Sequence, residues 1–134
     1  MSKGGEASHG PDNPDLDWFL SGIIDVSNKL DNYVLSPFHP LRQHKAKKWR
    51  SMFGLVQGDG ERLAGLIREQ LIQVEEIVER EPQTLLEDPS NQARRFTLDI
   101  PQFRGPNGNV AMVRTNWALD PDKERPHLAT TFPR

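Results

Sequence analysis

Cysteine is absent from the 134 residues. That excludes disulfides, thiolate metal sites and a cysteine nucleophile. No apolar run approaches the eighteen or so residues that a membrane-spanning helix needs, so no membrane partner is expected. The opening stretch MSKGGEASHGPDNPD lacks the apolar core of a secretory signal. The chain is therefore expected in the cytoplasm, either made there or delivered into a target cell as part of a larger protein. Neither charge sign is in large excess: the formal net charge is −2, which gives no global pull toward nucleic acid. Any such binding must rest on a local patch. There is no phosphate-cradling glycine motif, no Gly-x-Ser-x-Gly elbow and no close pair of histidines such as His-x-x-x-His. No metal and no other cofactor is expected.

Apolar residues make up 35%, a low share for a globular domain, and there are 11 prolines and 10 glycines. Part of the chain should therefore be tail. Residues 1–15 are mostly Gly, Ser, Pro, Asn and Asp with almost nothing apolar, and read as a flexible tail or linker. Residues 16–134 suffice for a single domain with its own core.

LDWFLSGIIDV opens the apolar part and fits either a short helix or an extended segment. In SNKLDNYVLS, Ser27 or Asn28 can cap a short helix through Leu35, with Leu30, Tyr33 and Val34 on one face. Pro37 disfavours helical geometry at Ser36, and Pro40 suits the first position of the next helix. That helix should run from Pro40 to Phe53 and stop near Gly54. Ala46, Trp49 and Phe53 form its inward stripe, with Leu41 and Met52 also apolar. Arg42, Lys45 and Lys48 recur at three-residue spacing on another face. GDGERLAGLIREQLIQVEEIVEREPQ has the firmest helical spacing, with Asp59 as a plausible cap. Its far end falls near Gln73 or runs on to Arg80, and QVEEIVE also has strand character.

The last third changes period. RRFTLDIPQF alternates through Phe96, Leu98 and Ile100, RGPNGN is a turn cluster, and NVAMVRTNWALD alternates again. PDKERP then leads into HLATTFPR. The expected fold is α+β: two or three N-terminal helices packed on one face of a C-terminal antiparallel meander of three to four strands, with a hairpin at 104–109.

LDNYVLSPFHPLRQHKAKKWRSMFG resembles the signature of a small bacterial domain family. That family reads as a Leu/Tyr helix, then Ser-Pro-x-His-Pro, then Lys-Ala followed by bulky aromatics. The likeness continues in Gly105, Pro106, Asn107 and Gly108 of the hairpin and in Thr115 and Trp117. It closes on Pro126, Thr130, Phe132 and Pro133, and so covers roughly residues 28–133. The chain departs from it at Arg42, where glycine is usual, at His44, where a basic or aromatic residue is common, and at His127, where arginine is common. Such domains are associated with bacterial polymorphic toxins, so the resemblance implies a toxin-type domain with a cognate immunity or antitoxin protein. The element order is also similar, by analogy of fold, to the barnase–EndoU–colicin–RelE ribonucleases. There the sheet face holds His, Lys, Arg, Ser, Thr or Tyr residues.

Metal-free RNA cleavage needs a base for the 2′-hydroxyl proton, an acid for the leaving oxygen and cations for the phosphorane charge. Histidine suits the proton transfers, and lysine and arginine suit the phosphate. His39, held between two prolines, is the candidate base or acid, or else a packing residue bonded to backbone. Lys45 either contacts phosphate or belongs to a solvated KAKK face. Lys47, Lys48 and Arg50 are expected in solvent, with Lys48, His44 and His127 as secondary binding candidates. Arg114 and Thr115 are neighbours on a strand and point to opposite faces. If Trp117 is core, Arg114 is on the open face, whereas the signature favours Thr115. Thr130 and Thr131 pose the same choice, with Leu128 and Thr130 alternating against His127 and Thr131. A non-catalytic protein-binding module is the alternative, supported by Glu75, Glu76, Glu79 and Glu81.

Overall fold

The computed structural model describes residues 10–40, 43–84 and 92–134. His9, Leu41 and Arg42 fall outside them. The order is helices first, strands last: α1 (Leu16–Leu20), a π-helix (Val26–Val34), α2 (Gln43–Phe53), α3 (Gly60–Gln70) with a 3-10 turn (Leu71–Gln73), then β1 (Ile77–Thr84), β2 (Gln92–Arg104), β3 (Val110–Leu119) and β4 (His127–Pro133). The strands form one antiparallel sheet in the order β1-β2-β3-β4, a meander. The fold is the α+β arrangement that the change of period implied.

Period-two alternation sets the two faces of the sheet. Phe96, Leu98 and Ile100 pair with Trp117, Thr115 and Val113, and all six are buried. Against this face pack Leu30 and Val34 of the π-helix, Trp49 and Phe53 of α2, and Leu63 and Ile67 of α3.

 The aromatic rings of Phe19, Phe96 and Trp117 meet edge to face at one end of this core, and those of Trp49, Phe53 and Phe103 pack together at the other.

Three bulges interrupt the pairing. Pro82 and Pro101 fall in two of them, where a residue without an N–H is tolerated in a strand. The third, opposite Asn116 and Trp117, takes in Ala129. It resets the parity of β4, so Leu128 and Thr131 both face the core while Thr130 pairs with Asn116 and Phe132 with Arg114. The alternation read from the sequence, which grouped Leu128 with Thr130, is corrected by that one extra residue.

Several helix boundaries differ from expectation, each for a local reason. Asp25, not Ser27 or Asn28, caps the π-helix: its carboxylate accepts from the Asn28 backbone and side-chain amides, which lowers its pKa. α2 ends on Gly54 at φ +72°, as expected of a glycine stop, and the Gln43 N–H donates to the His39 carbonyl at its start. Asp59 precedes α3, but its carboxylate accepts from the Val56 N–H rather than from the helix. Asp31 of the π-helix accepts from the Gly58 and Gly60 amides instead, at 2.9 and 2.8 Å. The α3 run stops at Gln70, and Ile77 and Val78 belong to β1.

The side-chain amides of Gln70 and Gln73 explain that stop. Gln70 accepts from the Arg104 N–H and donates to the Arg104 carbonyl, and Gln73 does the same at Gln102. Two glutamines thus act as a short pseudo-strand along the end of β2. Residues 10–15, expected as the end of the tail, lie against the domain: the Pro11 carbonyl accepts from Arg94, and Asp15 caps α1.

Candidate functional site

The helices cover one face of the sheet and leave the other open. On the open face, β1 supplies Arg80, β2 supplies Arg95, Thr97 and Asp99, β3 supplies Arg114 and Asn116, and β4 supplies Thr130 and Phe132. Two shallow hollows lie along it, of about 420 and about 530 Å³, and both are bordered by Arg80, Thr97 and Arg114.

The hollows differ in charge. The one over β3 and β4 is lined by Arg80, Arg95, Arg114, Asn116, Thr130 and Phe132 among others, with no carboxylate among the described residues. The other includes Glu75, Glu76 and Asp99. The face therefore has a cationic half and a mixed half.

Hydrogen bonds brace the cations. Arg114 Nε and Nη2 donate to the two carboxylate oxygens of Asp99, at 2.9 and 3.1 Å. This contact holds the guanidinium even more firmly protonated than usual. Arg80 Nε donates to Thr97 Oγ1 at 3.0 Å, and Thr97 in turn donates to Asn116 Oδ1 at 2.9 Å. Arg95 Nε donates to the Glu81 carbonyl at 2.8 Å. These bonds use one edge of each fork and leave further guanidinium N–H groups for an anion. In the same hollow, the buried Thr130 Oγ1 has no hydrogen-bond partner among the described residues. A buried hydroxyl left this way costs free energy unless something else satisfies it.

Of the residues singled out from sequence, the structure brings Arg114 and Thr130 to one hollow. Lys45 joins them from α2: its Nζ lies 3.8 Å from the centre of the Phe132 ring, which lines the same hollow. Thr115 is removed from the site. It is 0% exposed on the core face, donates to the Leu98 carbonyl at 2.7 Å and accepts from Trp117 Nε1 at 2.9 Å. Trp117 is core, so the parity argument that put Arg114 outward holds.

His39 packs edge-on against Tyr33 of the π-helix, with ring centres 4.7 Å apart. It sits at the joint from which α2 and Lys45 spring. His127, half-buried at the start of β4, pairs with Ala118, a residue of the cationic hollow. Burial pushes its pKa down, opposed by nearby Asp120 and aided by Lys29. His44 and Lys48 are exposed on α2, and His44 lines a separate small hollow with Pro37, Lys47 and Arg50.

Arg80 and Arg95 were not singled out by sequence reasoning. Arg95 was accessible to it, because it alternates with inward Phe96, Leu98 and Ile100. Arg80 follows QVEEIVE, whose helical and strand readings were both open, so no sheet face could be given to it. Among the described residues, no group of three or more His, Cys, Asp or Glu side chains is placed to hold a metal ion, and no helix is long and apolar enough to cross a membrane.

The fold and face define a small α+β domain with an arginine-bearing open sheet. The chain belongs to the DUF6883 family, a domain of unknown function, whose model matches residues 21–134. No curated protein and no solved structure matches it.

Proposed function

We propose that this is a bacterial toxin-type domain that cleaves RNA without a metal ion and is neutralised by a cognate immunity or antitoxin protein. The observation that carries the reading is the cationic hollow, lined by Arg80, Arg95, Arg114 and the unsatisfied Thr130 hydroxyl and, among the described residues, by no carboxylate. Forked, braced guanidinium groups suit the non-bridging oxygens of a phosphodiester. A shallow sheet face beside an aromatic ring suits a single strand better than a duplex.

In the reaction, the 2′-oxygen attacks phosphorus and the P–O5′ bond breaks. The products are a 2′,3′-cyclic phosphate and a free 5′-hydroxyl. A base takes the 2′-hydroxyl proton and an acid gives one to O5′. His39 serves as the base or the acid and His127 as its counterpart, Arg114 and Lys45 stabilise the phosphorane, and Thr130 donates a hydrogen bond to it. The domain acts in the cytoplasm of the cell that receives it.

The test is incubation of the purified chain with total RNA and tRNA in EDTA, beside Arg114→Ala and His39→Ala variants. The expected result is fragments ending in cyclic phosphate, greatly reduced in the variants. Intact RNA at stoichiometric protein would sink the claim.

A second reading, a non-catalytic protein-binding module, draws on exposed Glu75 and Glu76 beside the mixed hollow. Acidic surfaces can mask basic partners. Expression separates the two: a toxin arrests growth when made without its partner, and a binding module does not.

A further inference from the structure

The basic run of α2 has a second face that the arginine sheet does not use. Lys47 lies two residues beyond Lys45, about 200° round the helix at 3.6 residues per turn. On that side is a hollow of about 160 Å³. Leu35, Pro37, Ala46 and Val56 give it an apolar lining, and Lys47 and Arg50 border it. A smaller hollow of about 110 Å³ adjoins it, sharing Pro37, Lys47 and Arg50 and adding His44. Together they form one groove between α2, the Ser-Pro-Phe-His-Pro loop and the segment after α2.

Among the described residues, neither hollow is lined by a carboxylate. The ion pairs among the described residues are Arg94–Glu79 and Arg114–Asp99, so Lys47 and Arg50 have no acidic partner there. Apolar surface is exposed there: Val56, which lines the larger hollow, is 41% exposed, and Phe38, the residue after Pro37 in the chain, is 83% exposed. A cavity of roughly 150 Å³ accepts a benzene-sized group, so the larger hollow fits one bulky side chain.

We infer that this groove docks a segment of a partner protein in which one bulky apolar residue is flanked by carboxylates. The apolar residue fills the hollow lined by Leu35, Ala46 and Val56, and the carboxylates meet Lys47 and Arg50. Charge complementarity selects an acidic segment, and the apolar lining selects protein over a phosphate backbone, which that lining would desolvate without hydrogen bonds. The inference is independent of the ribonuclease reading, because the groove and the arginine face lie on different sides of α2.

The experiment uses a phage-displayed library of random 12-residue peptides, selected on the full chain. The expected winners carry Leu, Ile, Met or Phe between Asp and Glu. The best peptide, synthesised with a fluorescent label, should bind about tenfold or more weakly to Lys47→Glu/Arg50→Glu, about 1.4 kcal/mol or more. It should bind unchanged to Arg95→Glu. In spectra of the unaltered chain it should move the amide signals of Ala46, Lys47, Arg50 and Val56, which needs no variant. Failure to enrich any sequence, enrichment of neutral or basic peptides, or binding unaffected by the paired variant would overturn the inference. So would displacement of the peptide by a 12-nucleotide oligo(U), which would make the groove a nucleic-acid surface.

Discussion

Arg114 and Asp99 face each other across β3 and β2 as register partners, and their guanidinium–carboxylate contact is bidentate at 2.9 and 3.1 Å. Their side chains are 22% and 31% exposed, so the pair is sheltered without being sealed from water. Its consequence is geometric. Asp99 fixes the plane of the fork, and the same guanidinium borders both hollows of the open face.

If that guanidinium meets phosphate, Arg114→Ala should cut RNA cleavage on the order of a hundredfold, the effect of losing one well-placed donor. Arg114→Lys should recover only a small part, because an ammonium keeps the charge and loses the fork. Initial rates on a labelled single-stranded oligonucleotide provide the measurement. Equal rates for the parent chain and Arg114→Ala would remove Arg114 from the phosphate.

How much of this was legible in the sequence depends on the range of each interaction. The outward position of Arg114 was readable, because period-two alternation ties it to Trp117, and a tryptophan in a strand is a strong core signal. The inward stripe of Ala46, Trp49 and Phe53 was readable for the same reason at helical spacing. The faces of Thr130 and Thr131 were not, because the bulge at Ala129 is set by pairing with β3 and leaves no mark on β4 itself. Of the two ends that the sequence offers for α3, near Gln73 or at Arg80, the structure has the nearer; apolar spacing could not choose between them, because Val74, Ile77 and Val78 continue it. Gln70 and Gln73 stop the helix through bonds to β2, some thirty residues on. The cap from Asp31 to α3 is equally remote. The signature singled out Thr115 by its neighbours in the chain, and neighbours in a strand face opposite ways.

Thr115 should therefore matter for stability and not for phosphate. Thr115→Val deletes the hydroxyl that joins the Leu98 carbonyl to Trp117 Nε1, which leaves the buried indole N–H without its acceptor and removes one bond from the carbonyl. The expected loss is about 1–3 kcal/mol in urea unfolding. Thr115→Ser should retain most of the stability. Where Thr115→Val remains folded, its RNA-cleavage rate should match the parent chain, and a hundredfold loss in a stable variant would return Thr115 to the site.

Asp31 joins two helices that the sequence shows as separate. Its carboxylate satisfies the amides of Gly58 and Gly60 at the start of α3, where the helix dipole also favours negative charge. Asp31→Ala should cost about 1–2 kcal/mol of stability, and Asp31→Asn, which keeps an acceptor, should cost less. Gly60→Ala tests the same contact from the other side. A β-carbon there would lie 2.8 Å from Asp31 Cγ, so the cap must shift and the variant should melt lower than the parent. A melting point equal to that of the parent in both Asp31→Ala and Gly60→Ala would show that the cap contributes nothing.

His127 gives the stability a pH dependence. Burial lowers its pKa in the folded chain below the usual histidine value, so between the two values the unfolded chain binds more protons. Stability then rises with pH across that window. The contribution is fully present above the ordinary histidine pKa of about 6.5 and is lost as pH falls below it toward the folded value. Thermal melts of the parent chain between pH 7.5 and 5.5 should show a falling midpoint, and His127→Gln should flatten that slope. Asp120 opposes the shift, so Asp120→Asn should steepen the slope by removing the charge that favours the imidazolium. Melting curves for His127→Gln that keep the parent slope would assign the pH dependence to other groups.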